Sequence, residues 1–211
     1  MIEVNNIKKK IGDKVILDNI SLNLEKGKVY GFRGRNGSGK TMLFRAICGL
    51  ITIDQGYIVV DGLKLANKHF PADVGLLLEN PAFLPELSGY DNLEMIASIR
   101  NVIDKERIEE VIKMVGLTDA KDKAFGKYSL GMKQRLAIGQ AIMEYPKILM
   151  LDEPTNAIDE EGIRVLKDIV ASEKSKGTLV LLASHEKEII GDLADEVYTM
   201  TDGKITDHII M

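Results

Sequence analysis

The sequence predicts an α/β fold: a parallel sheet flanked by helices, with an antiparallel β layer formed by the N-terminal part of the chain and a helical insert midway along it. Three observations carry this reading. Short, continuously apolar runs at residues 29–32, 74–78, 148–151 and 178–183 have the form of strands buried on both faces, as parallel strands are. Residues 2–30 and 57–65 read as short strands with turn signals at Gly12-Asp13, Gly27 and Asp61-Gly62, which suggests antiparallel pairing. From about 85 to 127 the apolar residues recur at three- and four-residue spacings, through Leu93, Ile96 and Ala97 and then Ile108, Val111, Ile112 and Val115, the period of packed helices.

A chain of 211 residues with 45% hydrophobic content is large enough to bury one substantial core. We expect one cooperative domain over residues 1–211, with a catalytic core at 1–84 and 130–211 and a helical subdomain at 85–129. The balance of 28 basic against 32 acidic residues argues against a nucleic-acid partner and leaves proteins or small anions. Cys48 is the single cysteine, which excludes an intramolecular disulfide and fits a reducing cytosol. The start, MIEVNNIKKK, has no apolar core of signal-peptide length, and no apolar run reaches the ~18 residues of a membrane span. If the protein works at a membrane, another chain does the spanning. His69 and His208 read as solvated loop residues, and no Cys/His cluster has zinc spacing.

Each apolar run ends at a polar residue, and in open parallel sheets ligands bind beyond the carboxyl ends of the strands. Residues 34–41, GRNGSGKT, fit the pattern GxxxxGK[ST] through Gly34, Gly39, Lys40 and Thr41, with Arg35, Asn36, Gly37 and Ser38 between. They follow the run at 29–32 and lead into a helical stretch at 42–48 that Gly49 closes. Glycines let successive backbone N–H groups point at phosphate oxygens; Lys40 reaches the terminal phosphates and the Thr41 hydroxyl ligates Mg²⁺. The run at 148–151 ends in Asp152 and Glu153; Asp152 would take the metal and Glu153 would polarise an attacking water. His185, after the run at 178–183, could donate a hydrogen bond to a γ-phosphate or to that water. Ser129 is placed as the N-cap of a helix running to Pro146, and its exposed N-terminus with Gly131 forms a second potential phosphate site.

GRNGSGKT, YSLGMKQ, ILMLDE, NAID at 156–159 and His185 occur in the order and at the spacings of the ATP-binding subunits of ABC transporters, which the chain resembles along nearly its whole length. The resemblance implies that two chains sandwich two ATPs, with Ser129, Leu130, Gly131 and Met132 of one closing on the phosphate loop of the other. It implies catalytic roles for Glu153, Lys40 and His185, a coupling role for Asp159, and a homodimer working with a membrane permease at the cytoplasmic face. Three departures stand out: Glu79 where the family has a glutamine near the metal, Ile11 where an aromatic stacks on adenine, and Leu130 and Met132 within the signature. ENPAFLPELSGYDNL and YSLGMKQRLAIGQAIM look most like subunits of exporters of bacitracin and lantibiotic peptides. The alternative is an ABC-type ATPase acting on ribosomes, DNA repair intermediates or protein assembly; the single cassette and the absence of long coiled coils favour the transporter.

Overall fold

The computed structural model describes residues 1–65, 70–78 and 82–211, so His69 and Glu79 lie outside the described residues. Strands β1 (Ile2–Ile11) and β2 (Lys14–Leu24) form a hairpin through Gly12-Asp13, with Gly12 at φ 56°. Strand β3 (Val29–Arg33) enters a second sheet and leads through the glycine-rich loop into α1 (Lys40–Ile47), after which Gly49 at φ 71° turns the chain away. Strands β4 (Gln55–Val60) and β5 (Leu63–Lys64) rejoin the first sheet. Their link, Asp61-Gly62, has φ of 47° and 82°, positive at both positions as a type I′ turn requires. The order of this antiparallel layer is β2-β1-β4-β5.

After β6 (Val74–Leu77) come α2 (Gly89–Arg100) and α3 (Lys105–Met114). Ser88 and Asp91 cap α2 reciprocally, and Asp104 caps α3, so each helix starts where a side-chain oxygen meets an otherwise unpaired N–H. Helix α4 (Leu130–Ile142) starts at Ser129, as expected, but stops at Ile142 short of Pro146, where Tyr145 takes a positive φ of 51°. Then follow β7 (Ile148–Asp152), α5 (Glu160–Ser175), β8 (Leu179–Ser184), α6 (Lys187–Leu193), β9 (Glu196–Thr201) and β10 (Lys204–Ile210). The second sheet has the order β10-β9-β3-β8-β7-β6, parallel throughout except for β10.

The four apolar runs are β3, β6, β7 and β8, and their continuous apolarity has a plain cause: both faces are covered. Tyr30, Phe32, Met150 and Leu181 face α1 and the antiparallel layer, packing on Phe44, Leu17 and Ile20. Val29, Leu149, Leu151 and Val180 face the other way, onto α4, α5 and the insert residues Leu93, Ile108 and Val111. Helix α1 therefore lies between the two sheets. On the opposite face, a Cβ at Gly75 of β6 would sit 1.9 Å from the Ala141 carbonyl, so α4 rests directly on the strand backbone. The insert is also tied ionically to the core: Arg100 of α2 reaches Asp73 at 3.1 Å and Glu144 at 2.9 Å, and Lys147 reaches Asp73 at 2.8 Å. Lys147 and then Arg100 hold the Asp73 carboxyl below the usual carboxylate range.

Cys48 is buried with its Sγ 3.4 Å from Met150 Sδ, and burial pushes its thiol up to about 12, the behaviour of a packing residue. His208 is not in a loop: it stacks on Tyr198 along the β9–β10 ribbon, centroids 4.2 Å apart, with Nε2 2.9 Å from Glu196. Among the described residues no helix is long and apolar enough to cross a membrane.

Candidate functional site

Neighbouring strands deliver the polar residues to one place. Strand β3 ends in the loop 34–41, β7 in Asp152 and Glu153, and β8, which lies between them in the sheet, in His185. The loop curls because Gly37 and Gly39 adopt φ of 80° and 109°, which side chains resist. Gly34 is fixed differently: a Cβ there would lie 2.4 Å from the Met200 carbonyl.

Lys40, only 4% exposed, sits inside the curl, where Nζ donates to the Gly34 carbonyl at 2.7 Å and lies 3.2 Å from Glu153 Oε1. The Thr41 hydroxyl donates to the carboxylate of Asp152, which is fully buried. Glu153 breaks from the strand with φ 48°, a left-handed conformation costing roughly 1–2 kcal/mol in a non-glycine residue. Hydrogen bonds hold it there: its N–H donates to the Ala183 carbonyl at 2.8 Å and its own carbonyl accepts from Gln134 Nε2 at 3.3 Å. Its second oxygen lies 2.8 Å from His185 Nδ1. Lys40, Glu153 and His185 thus form one continuous polar chain.

A cavity of about 790 Å³ opens in front of this chain, bounded by residues 36–41 and Glu153 on one side and by Phe125, Leu130, Lys133 and Gln134 on the other. Ser38 is 6% exposed, and its hydroxyl has no partner among the described residues. A curl of N–H donors, a buried cation and an unpaired hydroxyl fit a polyphosphate. The adjoining oxygens of Thr41 and Asp152 are the hard donors that suit a divalent cation completing its shell with phosphate and water.

Not every expected residue faces this cavity. Gly34 and Arg35 line a second cavity behind the loop. Ile11 does not line the first; it is 55% exposed at the hairpin tip, opposite Lys14, and the wall there is Lys14 and Ile16, whose carbonyl approaches Gly39. Ser129 caps α4 by accepting from the Met132 N–H at 3.2 Å, and Met132 packs on the core. Leu130 is 71% exposed, and a Cβ at Gly131 would lie 2.8 Å from the Ala157 carbonyl. Asp159 caps α5 through Gly162, 2.9 Å away. Lys14, Ile16, Arg45 and Phe125 escaped sequence reasoning: the hairpin, α1 and the insert bring them to the cavity, and no local pattern marks them. Lys133 and Gln134 belong to YSLGMKQ, which by itself gives them no site role.

Strand-end carboxylates, a phosphate loop and a histidine on a parallel sheet define a nucleoside triphosphatase of the phosphate-loop class. The family model described as ABC transporter matches residues 17–156, and the chain belongs to that family. It is an ATP-binding subunit that hydrolyses ATP. Among its relatives is the uncharacterized ABC transporter ATP-binding protein YybJ of Bacillus subtilis (strain 168), 46% identical over 206 residues that span 97% of this chain and 94% of that one. The lantibiotic transport ATP-binding protein SrtF of Streptococcus pyogenes is 35% identical over 97% of this chain and 89% of its own length. The bacitracin transport ATP-binding protein BcrA of Enterococcus faecalis is 36% identical over 99% and 69%. The fold matches the solved ATP-binding subunit of an ABC transporter with TM-score 0.91 at 22% identity, covering 100% of this chain and 90% of that one. An ATP-binding cassette in its ADP conformation matches with TM-score 0.85 at 26% identity, covering 100% and 91%.

Proposed function

We propose that this chain is the motor of an exporter that expels a peptide antibiotic or amphipathic drug through a separate membrane permease. The observation that carries the motor role is the chain Lys40–Glu153–His185, because it places a carboxylate between the phosphate-binding cation and a second proton-carrying group. With ATP in the loop, Lys40 turns to the terminal phosphates and Glu153 is released toward the attacking water. The water oxygen bonds to the γ-phosphorus, the β–γ bridging bond breaks with its electron pair going to ADP, and Glu153 takes the proton. His185 holds the Glu153 carboxylate in place and donates toward the γ-phosphate. Mg²⁺, held by Thr41 and Asp152, would neutralise charge that develops on the phosphate oxygens. Glu79 adds a carboxylate to the metal's surroundings by resemblance alone.

The remaining half of each site comes from a second copy, through Ser129, Leu130, Gly131 and Met132. The place of Leu130 supports this: it lines the cleft and is 71% exposed, so a second copy can reach it without rearrangement of this chain. Asp159 couples the two sites, and residues 85–129 form the subdomain that moves against the core and engages the permease on the inner face of the membrane. The cargo is supported by the lantibiotic and bacitracin transport proteins among the relatives. Affinity purification of the tagged chain from detergent-solubilised membranes should recover an integral membrane partner. Recovery with ribosomes and no such partner would sink the transporter reading.

A further inference from the structure

Behind the phosphate loop lies the second cavity, of about 560 Å³. Arg33 at the end of β3, Arg35 in the loop, and His185 with Lys187 at the end of β8 and the start of α6 converge on it from separate parts of the chain. Among the described residues none of Arg33, Arg35 and Lys187 is ion-paired; Arg33 only donates to the Thr199 hydroxyl, at 3.0 Å. Among the described residues a single carboxylate, Asp202, stands on the wall against these three cations. In a chain of net charge −4 this is a local reversal of sign, and uncompensated cations around a concave wall concentrate anions. Residues 36–38 line both cavities, so the tip of the phosphate loop is the partition between them. Ser38, whose buried hydroxyl has no partner among the described residues, belongs to that partition.

We infer that this cavity is a second oxyanion site, which takes inorganic phosphate on the far side of the loop after ATP has been cleaved. The ligand class follows from the lining: two guanidinium forks and an ammonium suit a small tetrahedral oxyanion, which guanidinium binds in bidentate fashion. The location supplies the role, because the cavity shares one thin wall with the place where phosphate is produced, and His185, which lines it, bonds through Nδ1 to Glu153 on the wall of the first cavity. The inference rests on the ATPase assignment and not on the permease or the cargo.

The test uses the full chain with inorganic phosphate as the probe. With a non-hydrolysable ATP analogue filling the phosphate loop and its γ position, calorimetry should still register one phosphate site. Lys187→Ala should weaken that site at least ~10-fold while the analogue's affinity and the melting temperature stay unchanged, since Lys187 is exposed and outside the cleft. In steady-state turnover, phosphate should inhibit the wild type non-competitively against ATP, and Lys187→Ala should relieve the inhibition. Two results overturn the inference: phosphate binding abolished by the analogue, which assigns it to the phosphate loop, or binding that Lys187→Ala leaves untouched. Normal ATP turnover alongside either result would leave the motor reading standing and remove only this site.

Discussion

The two rims of the nucleotide cleft are built on opposite plans. On the loop side, Lys40, Thr41, Asp152, Glu153 and His185 are bonded to one another and anchored to strands buried on both faces. On the insert side, Ser129 is occupied with capping its own helix while Leu130 stands in solvent. The first rim is preorganised by its own chain. The second spends Ser129 and Met132 on its own fold and leaves Leu130 in solvent at the mouth of the cleft. Preorganised groups act on chemistry through fixed distances, whereas in the proposed cycle the insert rim acts through being moved, and its ionic tie to the core at Asp73 becomes as relevant as its side chains.

The contrast can be broken at several points. Glu153→Gln should leave ATP affinity within a few-fold but lower turnover at least ~100-fold, measured as steady-state phosphate release; unchanged turnover would remove Glu153 from the role of base. Gly75→Ala should cost about 2–3 kcal/mol in denaturant unfolding, because the added methyl collides with the α4 backbone at Ala141. A silent substitution would mean that α4 can lift from the strand freely. GTP and ATP should bind within about tenfold of each other, equivalent to ~1.4 kcal/mol, because Lys14 and Ile16 offer no aromatic face. A strong ATP preference in calorimetry would show that some other group reads the base. Ser129→Ala should cost about 1 kcal/mol by loss of the cap, and a fall in turnover beyond what that explains would give the hydroxyl a second role, in a partner's site. The smallest effect concerns Asp73: its folded pKa is depressed, so its contribution is present at neutral pH and is lost as pH falls below about 4. Hydrogen exchange in α2 should then rise before exchange in β7 or β8, and a simultaneous rise would argue that the insert has no stability of its own.

The loop rim was legible in the sequence because its constraints are local. A run buried on both faces must be apolar throughout, and a residue that ends it in a carboxylate or a glycine is conspicuous. Strand β9 escaped because Glu196, Thr199 and Thr201 interrupt Val197, Tyr198 and Met200 and break the run. Helices α5 and α6 were not read either, although Asp159 with Glu160 and Glu161 in the first turn is a recognisable start for α5. That Lys14 and Ile16, and not Ile11, line the cavity has another origin: which residue of a hairpin faces a loop depends on how two sheets pack, and the sequence of the hairpin carries no trace of it. The cavity behind the loop is the extreme case, since Arg33 and Lys187 are distant in the chain and become neighbours only through the pairing of β3 with β8.

Helix α1 has a consequence of a different kind. On the proposed site its N-terminus receives the nucleotide, and Leu43, Phe44 and Ile47 fill the space between the two sheets, so a ligand there would lean on the middle of the core and not on a peripheral flap. Nucleotide at 100 times its dissociation constant adds about 2.7 kcal/mol to the folded state by mass action. Here that increment should be felt by both sheets at once, as a single raised melting transition. Cellular ATP would then act as a chaperone of the finished fold, and a chain starved of nucleotide would be the one most exposed to proteolysis.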